Sequence, residues 1–304
     1  MRRIFFCGLL LLCACGSESN KTKHALVVGI DGLRVDALQQ AATPALDALI
    51  ADGAVTHDAF AGGELGEVTE QPTFSGPGWS SILTGVWIDK HGVDFNLFRG
   101  ARFDEYPHFF ARVRELNPDA YLSSFVTWAP INDNILASAE ADEAFSPDAG
   151  DSAERDIAVT AAVVAHLGLE TPHVVFVHLD QVDHEGHLFG YSTMVPEYMG
   201  AVEGIDAQIG EILEALRARE TYDTEDWLVV VTTDHGGIGI GITGHGMQSD
   251  EERTISLIAS GGAIPSGQTI SPGPGHTAVP PTVMQHLGLE VDRAWGWESA
   301  PFGF

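Results

Sequence analysis

Short apolar runs alternate with longer amphipathic segments along most of the chain. The runs at 24–30, 120–126, 173–179, 227–233 and 254–260 are rich in Val, Ile, Leu and Ala, which is typical of strands buried on both faces. The segments between them predict helices at 35–53, 78–86, 104–116, 156–169, 195–220 and 279–289, with Pro44 placed to divide the first. This alternation predicts an α/β fold with a mostly parallel central sheet and helices on both faces.

The first 23 residues have a different pattern, in which a basic start precedes a short apolar stretch and a polar segment. This order predicts a signal peptide at 1–14. Leu12-Cys13-Ala14-Cys15 resembles the lipobox of bacterial lipoproteins, so we expect a lipid on Cys15 and a linker at 15–23. Such a protein is exported and lipid-anchored to the bacterial membrane, facing the periplasm or the cell surface. Secretion with cleavage at another residue is the alternative.

Charge and cysteine positions restrict the chemistry of the remaining domain, at 24–304. The formal net charge of −28 disfavours binding to duplex nucleic acid, and a small anionic substrate would need local cations. The cysteines, Cys7, Cys13 and Cys15, all lie in the leader or at its end. We therefore expect no disulfide in the domain, and any metal ligands there would be His, Asp or Glu.

Acidic and histidine residues follow three of the predicted strands. In sheets of this type, ligands bind at the carboxyl ends of the strands. Three carboxylates and three imidazoles are enough to hold two divalent cations. The candidate ligands are Asp31, Asp183, His187, Asp234, His235 and His245. Taken singly, each is also compatible with a helix cap, a turn or a surface loop.

A hydroxyl group suited to nucleophilic attack lies in a Gly- and Pro-rich loop. Ser75 stands where this loop enters a predicted helix, and the N–H groups of a helix N-terminus stabilise anions. A bound divalent cation would lower the pKa of the hydroxyl and activate it. Ser75 is therefore the candidate nucleophile, and a simple helix cap is the alternative role.

The order of these motifs resembles that of the alkaline phosphatase superfamily. The series GIDGLR, ILTG, HG, DxxxH, DHG and GHG extends over residues 25 to about 288 and is most similar to type I phosphodiesterases and nucleotide pyrophosphatases. The resemblance implies a three-layer sandwich in which 24–304 is a single catalytic domain. It also implies a phosphate ester hydrolase that uses two divalent metal ions, usually zinc, and forms a phospho-seryl intermediate.

The resemblance divides the ligands between two ions. One ion would be bound by Asp31, Asp234 and His235. Ser75 would be its fourth ligand and the nucleophile. The other ion would be bound by Asp183, His187 and His245. Two alternatives stay open, namely Thr73 as the nucleophile and His276 in place of His245.

The chain departs from the phosphodiesterase pattern next to Ser75. Gly78-Trp79 stands where these enzymes have an Asn-His pair that includes a phosphate contact, and Asn96 and Trp128 are candidates to replace that contact. No Arg follows Ser75 at the position typical of sulfatases. Phosphodiesters are the expected substrates, with phosphomonoesters, phosphonates and sulfate esters as alternatives. The alternative outside the enzymes is a surface lipoprotein that binds metal without catalysis.

Overall fold

The computed structural model describes residues 21–136, 141–239 and 244–304. The predicted signal peptide, the predicted lipid site at Cys15 and most of the predicted linker lie outside the described residues. The first strand begins at Thr22, within the last two residues of that linker. None of the helices described has the length and the apolar content needed to span a bilayer.

A single mixed sheet forms the centre of the described structure. Its strands are β1 (Thr22–Ile30), β2 (Gly53–Phe60), β3 (Leu122–Val126), β4 (Glu143–Phe145), β5 (Val174–Leu179), β6 (Glu225–Thr232), β7 (Thr254–Gly261) and β8 (Gln268–Thr269). They are arranged in the order β4-β3-β5-β1-β6-β7-β2-β8. β7 pairs antiparallel with β6 and β2, whereas the other pairings are parallel. The predicted mostly parallel sheet is confirmed.

Helices cover this sheet on both sides. They are α1 (Val35–Gln40), α2 (Pro44–Ala51), α3 (Ser75–Thr84), α4 (Ile88–His91), α5 (Phe109–Leu116), α6 (Ser152–Leu169), α7 (Gln181–Phe189), α8 (Pro196–Arg217), α9 (Asp250–Arg253) and α10 (Val279–Leu287). Pro44 is the first residue of α2, a position that proline favours, so the predicted segment at 35–53 forms two helices. α6 begins earlier than predicted because Asp151 and Glu154 form a capping box.

β1 shows how the sheet separates two cores. Ala25 and Val27 point to one face and Leu26 and Val28 to the other, and all four are fully buried. The first face packs against α3, α5 and α10, and the second against α1, α2, α6 and α8. A strand covered on both faces is apolar at every position, which accounts for the continuous apolar run in the sequence.

The sequence did not indicate two elements of the fold clearly. β2 has polar residues at Thr56, His57 and Asp58, so it lacks a continuous apolar run, and antiparallel pairing with β7 stabilises it as a strand. At 181–189 the sequence is compatible with a helix or a loop, and the structure has α7 there. Asp183 and His187 are four residues apart in α7, so they share one face of the helix.

Candidate active site

Three neighbouring strands deliver the candidate ligands to one edge of the sheet. β1 lies between β5 and β6 and is parallel to both. Asp31 follows β1 directly, and Asp234 and His235 come shortly after β6. Asp183 lies in the first turn of α7, just after β5. Because the carboxyl ends of adjacent parallel strands meet at one edge, these residues converge.

Asp31, Asp234 and His235 form the first ligand group, and each is at most 1% exposed. Nε2 of His235 is 3.2 Å from Oδ2 of Asp234 and 3.5 Å from Oδ1 of Asp31. These three atoms are buried and have no hydrogen-bond partner among the described residues. Buried polar atoms without partners are costly, and two carboxylate oxygens with an imidazole nitrogen suit a divalent cation such as zinc. The first group therefore fits a metal ion.

The predicted second ligand group is Asp183, His187 and His245, and these residues lie close together. The possible metal-binding group found at this place joins Asp183 and His245 to His235 and does not include His187. Nε2 of His187 lies 3.0 Å from Nε2 of His245 and 3.4 Å from Oδ2 of Asp183, and Nε2 of His245 lies 3.6 Å from Oδ1 of Asp183. Nδ1 of His245 is 2.7 Å from the carbonyl oxygen of Thr73 and donates to it, which leaves Nε2 available to a metal. The rings of His235 and His245 stack with centroids 3.7 Å apart, so the two groups are adjacent.

The two ligand groups bring three buried carboxylates, those of Asp31, Asp183 and Asp234, close together. Burial raises the pKa of Asp31 well above its ordinary value, and the nearby charge of Asp183 adds to the effect. Burial also raises the pKa of Asp234, and Asp31 and Asp183 contribute. Burial opposes ionisation of Asp183 too, but the contact with His187 and the charge of His245 outweigh it and lower its pKa. Divalent cations would offset the repulsion among the ionised carboxylates.

Ser75 is the first residue of α3 and is 7% exposed. Two residues before it, Thr73 accepts the hydrogen bond from His245 of the second group. Three residues after it, Gly78 lies against Asp234 of the first group, since a β-carbon there would be 2.8 Å from Asp234 Cβ. Ser75 therefore lies on a short segment that contacts both groups, at the positive end of the α3 dipole.

The hydroxyl of Thr73, the alternative nucleophile, is engaged in two hydrogen bonds. It donates to the carbonyl oxygen of Met247 at 2.8 Å and accepts from the N–H of Gly246 at 2.8 Å. Attack by Thr73 would break both contacts. These bonds instead hold the segment that carries His245, which favours Ser75 as the nucleophile.

His276 and Trp128 both pack their rings against other aromatic side chains. His276 is fully buried and stacks on Trp87 with ring centroids 5.0 Å apart. It belongs to none of the possible metal-binding groups found among the described residues. Trp128 packs its ring against Phe98 at a centroid distance of 5.9 Å. His276 is therefore a weaker candidate than His245 for the sixth ligand, and the ring contact of Trp128 indicates a packing role.

Asn96 lies at the N-terminus of α3, next to Ser75. Its Oδ1 accepts a hydrogen bond from the N–H of Gly76 at 2.7 Å. This contact holds the side-chain amide of Asn96 at the first turn of α3, one residue after Ser75. Asn96 is therefore better placed than Trp128 to replace the phosphate contact that the Asn-His pair would provide.

Two tyrosines that the sequence did not single out support the ligands. The hydroxyl of Tyr191 donates to Oδ1 of Asp183. The hydroxyl of Tyr198 donates to the carbonyl oxygen of Gly32 at 2.7 Å and accepts from the N–H of Arg34 at 3.0 Å, so it holds the loop after β1. Burial raises the pKa of both tyrosines, which keeps them protonated as donors. In the sequence they look like core aromatics, because nothing local specifies the partner of a tyrosine hydroxyl.

Comparison of the sequence with known protein families agrees with the fold and the ligand groups. The model of the type I phosphodiesterase / nucleotide pyrophosphatase family matches residues 25–133 and 117–243. The chain therefore belongs to the type I phosphodiesterase / nucleotide pyrophosphatase family, within an alkaline phosphatase-like fold.

The chain matches curated relatives over only part of their length. The chain is 25% identical over 253 residues to a bis(5′-adenosyl)-triphosphatase of Bos taurus, and the aligned region covers 77% of this chain and 51% of the relative. It is 31% identical over 145 residues to a phosphopentomutase of a Methylobacterium strain, which covers 48% of this chain and 32% of the relative. The chain thus spans about half or less of the length of these relatives.

Solved structures share the fold at low identity. Murine ectonucleotide pyrophosphatase/phosphodiesterase 5 has a TM-score of 0.68 and 13% identity, with 88% of this chain and 96% of that chain covered. The phosphonate monoester hydrolase of Agrobacterium radiobacter has a TM-score of 0.62 and 15% identity, with 88% and 74% covered. A 2-O glycosaminoglycan sulfatase has a TM-score of 0.69 and 15% identity, with 90% and 72% covered. At these identities the likeness establishes the fold alone.

Proposed function

We propose that this protein hydrolyses phosphodiesters with Ser75 as the nucleophile and two divalent metal ions, preferably zinc, in the two ligand groups. The observation that carries the proposal is the position of Ser75 on the segment that contacts His245 through Thr73 and Asp234 through Gly78. Ions bound in both groups would lower the pKa of the Ser75 hydroxyl and balance the charge that develops on the phosphate oxygens.

The reaction would proceed in two steps at Ser75. The Oγ atom attacks phosphorus as the bond to the leaving alcohol breaks, which gives a phosphoseryl enzyme. Water then attacks the same phosphorus, the bond to Ser75 breaks, and the phosphomonoester leaves. The N-terminus of α3 favours the anionic phosphate. The amide of Asn96, oriented by its bond to Gly76, would donate an N–H to a non-bridging oxygen.

Family membership supports phosphodiesters as the substrate class. One relative is named a bis(5′-adenosyl)-triphosphatase, and one structural neighbour was solved in complex with AMP. Esters of nucleoside phosphates are therefore the first natural candidates. A phosphonate monoester hydrolase and a sulfatase share the fold, so phosphonates and sulfate esters, together with phosphomonoesters, are the substrates to compare.

A panel of four chromogenic esters tests this proposal. Zinc-loaded protein, with its metal content measured, is assayed on nitrophenyl phosphate, bis-nitrophenyl phosphate, nitrophenyl phenylphosphonate and nitrophenyl sulfate. We expect two ions per chain and the highest kcat/KM on bis-nitrophenyl phosphate. A protein that holds two ions and cleaves none of the four would contradict the enzyme and favour the metal-binding lipoprotein.

We also propose that the protein is exported and anchored through a lipid on Cys15. The leader pattern and the lipobox-like Leu12-Cys13-Ala14-Cys15 support this proposal. Expression of the full chain in a bacterium, with and without Cys15→Ser, tests it. We expect the unaltered chain to partition into detergent and to incorporate labelled fatty acid, and the variant to do neither. Equal partitioning of both proteins would contradict the anchor.

A further inference from the structure

We propose that Trp79 is a positioning residue that, together with His178, fixes Asp31 as a metal ligand through a single oxygen and keeps a third cation out. The inference rests on the proposed function, because it concerns the metal ions of that site. Trp79 occupies a position where the phosphodiesterase pattern has a different residue.

The indole of Trp79 is a hydrogen-bond donor to the first ligand group. Trp79 is completely buried, and its Nε1 lies 2.9 Å from Oδ2 of Asp31. β1 makes room for the ring at Gly29, where a β-carbon would lie 2.3 Å from Cη2 of Trp79. A ring enclosed in this way cannot rotate freely, so the direction of its N–H is fixed.

His178, at the end of β5, is a second donor to the same oxygen. Its Nε2 lies 3.1 Å from Oδ2 of Asp31. Its Nδ1 lies 3.5 Å from the backbone nitrogen of Trp128 and accepts from that N–H, so a neutral ring would carry its proton on Nε2. The rings of Trp79 and His178 meet edge to face, with centroids 4.8 Å apart, so the two donors support each other.

The two carboxylate oxygens of Asp31 therefore have different hydrogen-bond contacts. Oδ2 accepts from Trp79 and His178, whereas Oδ1 is buried without a hydrogen-bond partner and faces His235. Partners of this kind orient a metal ligand and contribute to metal affinity. Asp31 is thus held so that Oδ1, and not Oδ2, is left free to hold an ion that the first group would bind.

The same contacts explain why a further group of potential ligands would not take an ion. Asp31, His178 and Asp180 have ligand atoms within 4.8 Å of one another. Oδ2 of Asp31 already accepts two hydrogen bonds on that side, and Nε2 of His178 carries the proton that it donates. A cation there would have to displace the indole N–H, and the enclosed ring has little room to turn away. The described residues would therefore hold two ions and not three.

Zinc affinity and stoichiometry test this inference independently of activity. Metal-free wild-type protein and the Trp79→Phe variant are titrated with zinc against a competing chelator, and bound metal is counted by mass spectrometry. The phenyl ring keeps an aromatic group but removes the N–H. We expect the wild type to saturate at two ions and Trp79→Phe to bind one of them about 10- to 100-fold more weakly.

Trp87→Phe is the matched control, since Trp87 is also buried in this region but stacks on His276 and Phe60. It loses the same volume and should keep wild-type zinc affinity. Equal affinity of wild type and Trp79→Phe would overturn the positioning role and leave the proposed function intact. A third tightly bound ion in the wild type would overturn the exclusion, and a wild type that binds no zinc would overturn both proposals.

If Trp79→Phe does not fold, as judged by circular dichroism, the unaltered indole can be observed. In protein labelled with ¹⁵N at tryptophan, we expect one indole N–H signal that is protected from exchange and shifts when zinc is added. This signal should persist in Trp87→Phe and in Trp128→Phe. The absence of any protected indole signal that responds to zinc would overturn the proposal.

Discussion

Gly78 and Asp234 are packed so closely that no β-carbon fits between them. A β-carbon built on Gly78 would lie 2.8 Å from Cβ of Asp234 and 3.2 Å from its carbonyl oxygen. Gly78 belongs to the first turns of α3, the helix that begins with Ser75. The contact therefore sets the distance between the helix that carries the proposed nucleophile and the first ligand group. The departure from the phosphodiesterase pattern at Gly78 is thus part of the geometry of the site.

Replacement of Gly78 by alanine should displace Asp234. We expect zinc affinity and kcat/KM to fall by about tenfold or more, as for other changes that move a metal ligand. Overpacking of this kind also costs roughly 1–3 kcal/mol of stability. Zinc titration, kinetic assay and thermal unfolding measure the three effects.

Gly200→Ala is the matched control for this substitution. Gly200 lies inside α8, where a β-carbon would have no atom within 4 Å. Alanine favours helix over glycine by about 1 kcal/mol, so this variant should be as stable as the wild type or more so, with unchanged zinc affinity. A Gly78→Ala variant with the stability and zinc affinity of Gly200→Ala would show that the α3 contact does not position Asp234.

Asp156 links the stability of α7 to the second ligand group. Its carboxylate accepts hydrogen bonds from the N–H groups of Asp180 and Gln181 at 2.8 to 3.1 Å, at the start of the helix that carries Asp183 and His187. We expect Asp156→Ala to lower stability by about 0.5–2 kcal/mol and to weaken zinc binding, because the cap is lost and the ligands shift.

Asp206 provides the comparison for Asp156. It caps α2 in the same way, accepting from the N–H groups of Ala45 and Leu46 at 3.1 and 2.8 Å. Asp206→Ala should therefore lower stability to a similar extent and leave zinc affinity unchanged. Equal zinc affinities for Asp156→Ala and Asp206→Ala would show that the cap of α7 does not position the ligands.

The charge of Asp156 also predicts a dependence of stability on pH. Burial raises the pKa of Asp156 from 3.8 to about 6, although its hydrogen bonds oppose this shift. The folded protein thus holds the proton more tightly than the unfolded chain. This difference contributes stability that is fully present below pH 3.8 and is lost as the pH rises through about 6. The side chain of the Asp156→Asn variant stays neutral, so its thermal stability relative to wild type should rise as the pH increases from 4 to 8. A constant difference in Tm over this range would contradict the shift.

The sequence predicted the positions of the ligands better than the contacts that hold them. Asp31 and Asp234 could be predicted because each follows an apolar strand, and parallel strands bring their carboxyl ends together. The contacts of Trp79, Tyr191 and His178 could not, since in the sequence these residues look like core residues. The partners of their polar atoms are set by tertiary packing, which local pattern does not specify.

The strand β2 illustrates the same limit for the fold. Its segment includes Thr56, His57 and Asp58, and it forms a strand because it pairs with β7, which is distant in sequence. Strand formation that depends on a remote partner leaves little trace in local hydrophobicity.

The Ser75→Ala variant separates the proposed nucleophile from the two ligand groups beside it. Turnover of bis-nitrophenyl phosphate and bound zinc are measured together for wild type, Ser75→Ala and Ser80→Ala. Ser80 lies on the same helix, and its hydroxyl donates to the carbonyl oxygen of Gly76, so its loss should change turnover little. We expect Ser75→Ala to keep its zinc and to lose at least about 1,000-fold in kcat. Wild-type turnover by zinc-loaded Ser75→Ala would show that Ser75 is not the nucleophile.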